Sequence, residues 1–243
     1  MKKSIRNSLI ISAILILCGA VITFVALDMV SFNFSELATN KLINKSEIIT
    51  KPFSNINVNI SNEDLKIAQS VDDKCRIEYI CPENLEYTLS VSDGTLTITE
   101  KDNRKWYDYI GISINETEMT LYLPENEYKN FDIETNTGDV SLKDIKPESL
   151  SIITDTGDIL IDDFVSKGKV IIKSNTGDVE ILKSDAGSFE IETDTGDVSG
   201  ALLTNKFFYI ETDTGNVDIP KEYSGGECRI KTDTGDICIK IEK

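Results

Sequence analysis

Thr193-Asp194-Thr195-Gly196-Asp197-Val198 is one of six near-identical hexads in the second half of the chain. The others are Thr135-Asn136-Thr137-Gly138-Asp139-Val140, Thr154-Asp155-Thr156-Gly157-Asp158-Ile159, Ser174-Asn175-Thr176-Gly177-Asp178-Val179, Thr212-Asp213-Thr214-Gly215-Asn216-Val217 and Thr232-Asp233-Thr234-Gly235-Asp236-Ile237. Their glycines are spaced 19 or 20 residues apart, the length of one solenoid coil. Before each hexad apolar residues alternate with polar ones (Phe131 and Ile133, Leu150 and Ile152, Val170 and Ile172, Phe189 and Ile191, Phe208 and Ile210, Cys228 and Ile230), as in half-buried strands. After it the alternation resumes in the opposite phase, at Val140 and Leu142, Ile159 and Ile161, Val179 and Ile181, Val217 and Ile219, Ile237 and Ile239. A bend at the glycine restores the inward direction, because glycine tolerates positive φ, so Gly138, Gly157, Gly177, Gly196, Gly215 and Gly235 read as structural corners.

Two all-β architectures repeat strand, corner and strand at this interval: a parallel β-solenoid with coils about 4.8 Å apart, and an antiparallel meander of hairpins. Stacked coils explain why the repeats match one another at every corner position. Hairpin partners do not match: Leu150 would face Leu160, but Val170 would face Glu180 and Phe208 would face Asp218. The solenoid, with about 19–20 residues per coil, is therefore favoured. Cys228 and Cys238 discriminate the two, since a hairpin sets them opposite each other, whereas a solenoid turns one inward and one outward as free thiols.

Working outward, residues 131–243 are the regular repeats and 46–130 carry a looser pattern, read as first coils or an N-terminal cap. Ile56, Val58 and Ile60 precede Ser61-Asn62-Glu63-Asp64-Leu65 there, followed by Tyr87 to Ile98 around Asp93-Gly94, then Met119 to Leu123. The aromatic loop from Lys101 to Tyr109, with Trp106, Tyr107 and Tyr109, is read as packing over a solenoid end or as a binding surface. Residues 28–45 read as a linker with a short helix around Ser35 to Ile43. Residues 8–27 hold no charge and match a hydrocarbon core of about 30 Å as one transmembrane helix. Lys2, Lys3 and Arg6 make residues 1–7 a cytoplasmic basic tail and place the C-terminal domain outside, in a single-pass cell-membrane topology. A cleaved signal peptide and a lipoprotein signal at Cys18 compete with this reading; Leu17 is bulky for the latter, and the apolar run continues to Leu27.

The formal charge is −17, and beyond residue 6 the 22 basic and 42 acidic residues leave −20. Such a surface repels nucleic acid and anionic headgroups and favours divalent cations or basic partners. With no histidine, the Ser-His and Cys-His arrangements and imidazole metal ligands are excluded. Cys75, Cys81, Cys228 and Cys238 lack metal or redox spacing, and Cys75 and Cys81 cannot bridge within one straight strand.

An anchor, a first strand around Phe53 to Ile67, Leu121-Tyr122-Leu123-Pro124 and serial Thr-x-Thr-Gly-Asp-Val hexads together resemble the bacterial putative-adhesin family of β-strand-repeat proteins, whose domain has no assigned function. The resemblance covers roughly residues 46–243. It implies a right-handed β-solenoid on the cell envelope and, for some relatives, a link to envelope-stress signalling. It implies no catalytic residues.

Asp-Thr-Gly is also the tripeptide of aspartic proteases, but six copies on a fixed period fit a corner far better than a facing pair of carboxylates. Asp139, Asp158, Asp178, Asp197 and Asp236 form a ladder of like charges in a solenoid, which must be compensated. Joined by Asp155, Asp194, Asp213 and Asp233, they are candidate Ca²⁺ ligands. The alternative is that each Asp accepts a hydrogen bond from a turn amide while Thr rows link the coils. This alternative is favoured because the dense Gly-Gly-x-Gly-x-Asp pattern of calcium solenoids is absent. A carbohydrate-active site would break the repeat with non-repeating acids or bases, and the break at Gly200-Ala201 with Phe207 and Phe208 carries none. The expectation is a non-enzymatic, membrane-anchored envelope protein with no cofactor, acting as an interaction or scaffold module toward a protein or cell-wall polymer. A calcium-binding or stress-regulatory module stands second. The last coil, ending at Ile241-Glu242-Lys243, is expected to expose an edge strand open to end-to-end self-association, blunted by Lys240, Glu242 and Lys243.

Overall fold

The computed structural model describes residues 3–29, 42–103, 117–221 and 224–242, with side chains from Asn7 onward. The helix α1 (Lys3–Met29) contains one stretch, Asn7–Met29, long and apolar enough to cross a membrane. From Leu9 to Val25 its Leu, Ile, Val and Phe side chains stand exposed. The short helix expected around Ser35 to Ile43 lies mostly, and the aromatics of the Lys101 to Tyr109 loop wholly, outside the described residues.

The strands form a separate compact unit. In chain order they are β1 (Leu42–Ile49), β2 (Asn55–Asn59), β3 (Asp64–Gln69), β4 (Cys75–Pro82), β5 (Leu85–Ser92), β6 (Thr95–Asp102) and β7 (Glu118–Leu123). The regular repeats then supply β8 (Tyr128–Thr137) with β9 (Val140–Lys143), β10 (Pro147–Thr156) with β11 (Ile159–Asp162), and β12 (Lys169–Thr176) with β13 (Val179–Ser184). The last three pairs are β14 (Ser188–Thr195) with β15 (Val198–Leu202), β16 (Phe207–Thr214) with β17 (Val217–Asp218), and β18 (Glu227–Thr234) with β19 (Ile237–Ile241). In each pair the hexad glycine lies between the two strands, and the strands belong to two facing sheets.

Pairing among the repeats is parallel and in register by hexad: Leu150 lies beside Phe131 on one side and Val170 on the other, and Thr154 beside Thr135 and Ser174. The fold is therefore the β-solenoid and not the meander. Inward rows from both sheets make one core, with Phe131, Leu142, Ile152, Ile161, Val170, Ile181 and Phe189 all at most 2% exposed. Each such side chain stabilises the fold by about 1.5–3 kcal/mol relative to exposure, before the entropy of ordering the chain. Cys228 is buried and Cys238 half-buried, both free thiols, the arrangement that separates a solenoid from hairpins.

The coils do not stack in chain order at either end. One sheet runs β16-β18-β14-β12-β10-β8-β2-β6-β5 and the other β1-β4-β7-β3-β9-β11-β13-β15-β19-β17. The coil β2–β3 is thus held between β6–β7 and β8–β9. The last coil, β18–β19, is held between β14–β15 and β16–β17.

This corrects the expected C-terminal edge: the outermost coil is β16–β17, on which Phe207, Tyr209 and Val217 are 46–50% exposed. The end of β19 beyond Cys238 keeps an open side, because β17 covers Ile237 and Cys238 alone among the described residues. At the other end β4 and β5 run antiparallel to β7 and β6, and β1 pairs antiparallel with β4 from Leu42, so a strand begins within the stretch read as linker. Eight paired residues outweigh the absence of a clear alternation there.

Candidate functional site

The hexad corner is where sequence and geometry meet most closely. Its first Thr or Ser points inward and is buried at 135, 154, 174, 193 and 232, the next two residues point out, and the glycine turns the chain. Gly157 has φ +141°, and a Cβ there would lie 2.2 Å from the Gly138 carbonyl oxygen; Gly235 would meet Gly196 O at 1.9 Å. No side chain fits between coils that stack this closely at the corner. Some Thr hydroxyls reach across coils, Thr193 Oγ1 to Gly177 O at 3.4 Å and Thr232 Oγ1 to Gly196 O at 3.2 Å, while Thr135 and Thr154 bond within their own corner.

The second aspartates form a relay. The backbone N–H of Asp158 donates to Asp139 Oδ1 at 2.8 Å, that of Asp178 to Asp158, that of Asp197 to Asp178, and that of Asp236 to Asp197. Each carboxylate therefore receives a charge-assisted hydrogen bond from the next coil's amide, which offsets the repulsion between rungs. The relay starts one coil earlier than the hexads, because Asp139 N–H donates to Asp64 Oδ1 at 2.9 Å. Asp64 is hard to find in the sequence because Glu63 replaces the corner glycine; the signal is an Asp followed by an inward Leu65 after an alternating strand.

Asn216, the one departure from Asp, ends the stack: its N–H and its side-chain amide both donate to Asp236 Oδ1, at 2.6 and 3.2 Å. A neutral amide suits a rung with no further coil above it. The outward Asp155, Asp194, Asp213 and Asp233 are exposed; Asn175 bonds Asp155, and Lys231 pairs with Asp233 at 3.4 Å. Among the described residues no three His, Cys, Asp or Glu side chains converge as a metal site.

Outside the corner, the sheet built on β8 to β18 carries outward rows of alternating charge. In register, Lys173 stands beside Glu192, Glu192 beside Lys231, and Lys231 beside Glu211. Lys173 bonds Glu192 at 3.0 Å. The neighbouring row places Glu190 beside Arg229 and Arg229 beside Tyr209, with the guanidinium 4.4 Å from the Tyr209 ring centre.

At the corner preceding β16, Lys206 is 3% exposed and its ammonium donates to Ala186 O at 2.7 Å and pairs with Asp185 at 2.5 Å. Lys206 belongs to the outermost coil and Asp185 to the coil of β14, so the side chain spans the inserted last coil. Gly225 and Gly226 leave it room, each passing so close to a neighbouring carbonyl that a Cβ would clash with Asn205 O or Gly187 O.

Buried titratable groups lie at both ends of the solenoid, Glu63, Cys75 and Tyr87 toward the N-terminal end and Lys206 and Cys228 toward the C-terminal end. Burial raises the Glu63 carboxyl above its ordinary value, the Tyr87 hydroxyl beside it offsets part of that rise, and the Glu100 carboxylate adds to it. Burial pushes the Cys75 and Cys228 thiols up to about 12, which keeps them protonated and unreactive.

A family model described as Toastrack DUF4097 matches residues 53–243. Among solved structures, the fold is similar to a putative cell adhesion protein from Clostridium sporogenes at 17% identity and TM-score 0.52, covering 83% of this chain and 100% of that one. It is similar also to a putative adhesin from Bacteroides fragilis at 16% identity and TM-score 0.50, covering 84% and 99%. No curated protein matches the sequence.

Proposed function

This chain belongs to the Toastrack DUF4097 family, and from that premise we propose that it is a membrane-anchored, non-catalytic interaction module of the cell envelope. The observation that carries the reading is the use of the repeated polar groups: the second aspartates of the hexads, with Thr193, Thr212 and Thr232, bond to neighbouring coils and build the scaffold. What remains for recognition is the outward rows of acidic and basic side chains on a rigid sheet. The names of the two similar structures, a putative adhesin and a putative cell adhesion protein, support an adhesin-like role.

With a balance of −20 beyond residue 6, the partner surface that fits is cationic, a basic protein or a cell-wall polymer bearing amines. The apolar helix Asn7–Met29, preceded in sequence by Lys2, Lys3 and Arg6, supports an anchored topology with the solenoid outside.

Two measurements test this. Protease added to intact producing cells is expected to remove a C-terminal tag and spare an N-terminal one; the opposite pattern overturns the topology. Full-length protein in liposomes is expected to sediment with envelope fragments and to be released by salt. Turnover of an envelope polymer in the same assay would show an enzyme instead.

A further inference from the structure

The last coil sits out of chain order, and its two walls depend on it. Among the described residues, the outermost strands β16 and β17 have no sheet partner other than β18 and β19. If the last coil leaves, healing the gap by stacking β16 directly on β14 is disfavoured. The common hexad register would set Glu211 against Glu192, like charges on neighbouring strands, and Tyr209 against Glu190. The last coil supplies what both walls need: Arg229 between Glu190 and Tyr209, and Lys231 between Glu192 and Glu211. The walls thus select this coil and reject each other, attraction and repulsion together setting the specificity.

We infer that the coil Glu227–Ile241 is an exchangeable element, and that the slot between β14–β15 and β16–β17 accepts it from a second copy of this chain as well as from its own. A reciprocal exchange recreates every contact of the closed molecule across two chains, so the balance is set by concentration and by the freedom lost on pairing. Apposed copies are joined through their C-terminal coils. Lys206 is the latch: its bonds to Asp185 and Ala186 O hold the outermost coil over the inserted one and must open before the coil can leave.

The exchange is read from one disulfide. Ser199 on β15 lies in register beside the native Cys238 on β19, a neighbouring-strand spacing of about 4.8 Å that is within disulfide reach. Full-length chain carrying Ser199→Cys and labelled with nitrogen-15 is refolded in detergent micelles with unlabelled natural chain, oxidised only after refolding, and the peptides linking 199 to 238 are weighed.

Links between a labelled 199 peptide and an unlabelled 238 peptide are expected, rising with protein concentration toward about half of all links for an equal mixture. Links confined to one isotope at every concentration overturn the inference. A second chain keeps the test sharp: Lys173→Glu, Glu192→Lys, Lys231→Glu and Glu211→Lys together invert the row through the slot while keeping opposite charges adjacent. Given Ser199→Cys as well, it is expected to exchange with its unlabelled charge-inverted counterpart and not with the natural chain. Equal hybrid yields with the natural chain overturn the charge-selected slot.

Discussion

In the middle of the solenoid, from Tyr128 to Leu202, four coils follow one another in space as they do in sequence, and each position stacks on its equivalent 19 or 20 residues away. At the two ends the chain behaves differently: β2–β3 and β18–β19 are each held between coils that are not both their sequence neighbours. The corner chemistry continues unchanged from the middle into the C-terminal end. The glycine column and the aspartate relay run through the inserted coil without interruption, Gly196 to Gly235 to Gly215 and Asp197 to Asp236 to Asn216. The repeat therefore specifies the shape of a coil and how any two coils stack, and leaves their order to the outward side chains. Where Glu192 could meet either Glu211 or Lys231, it meets Lys231.

The comparison can be broken most severely in the middle. Replacing Gly177 by Ala would put a Cβ 2.1 Å from the Gly157 carbonyl, backbone against backbone, whereas Gly94 in the β5–β6 turn has nothing within 4 Å. Gly177→Ala is expected to cost about 4–5 kcal/mol or to prevent folding, and Gly94→Ala about 1–2 kcal/mol for its positive φ alone, as measured by denaturant unfolding.

The latch at the C-terminal end comes next. Lys206→Met leaves Asp185 without its buried partner and is expected to lower stability by about 3–5 kcal/mol. The loss should appear first in amide exchange of β16 to β19, with β8 to β13 protected as before. Uniform loss of protection across both sets would mean that the ends and the middle unfold as one.

A smaller effect marks the N-terminal end. Glu63 stands where the middle coils have glycine, and its carboxyl is raised by burial. A carboxyl raised in the folded state favours folding most where it is protonated, below about pH 4.3, and that contribution is lost as pH rises through its ordinary and then its raised value. Glu63→Gln is expected to melt higher than the natural chain at pH 7, with the difference closing below the ordinary carboxylate range. A difference independent of pH would assign the effect to packing.

The smallest shift is expected from calcium. With each relay aspartate already accepting an amide hydrogen bond, calcium should move the melting temperature no more than magnesium does. A large calcium-specific rise would make Asp139, Asp158, Asp178, Asp197 and Asp236 a metal ladder.

Much of this was legible in the chain. Six hexads at a regular period marked the corners, the phase of Val140 against Ile133 showed which residues face in, and Cys228 and Cys238 named a test between solenoid and meander that the buried Cys228 and the parallel pairing then answered. Asp64 was harder to see because its coil lacks the glycine. The position of Asn216 was misleading, since it is fifth in sequence and last in the stack.

The sequence by itself thus determined the coil: its length, its inward rows, its glycine corner and the net acidity of what it exposes. Those properties are local, set by side-chain period and by the sterics of one turn. Only the tertiary structure decided the order of the coils, the location of the open edge and the role of Lys206. These depend on which strands become neighbours. Near-identical backbones leave that choice to a few outward contacts, Glu192 with Lys231 and Glu190 with Arg229, between residues 39 apart in the chain.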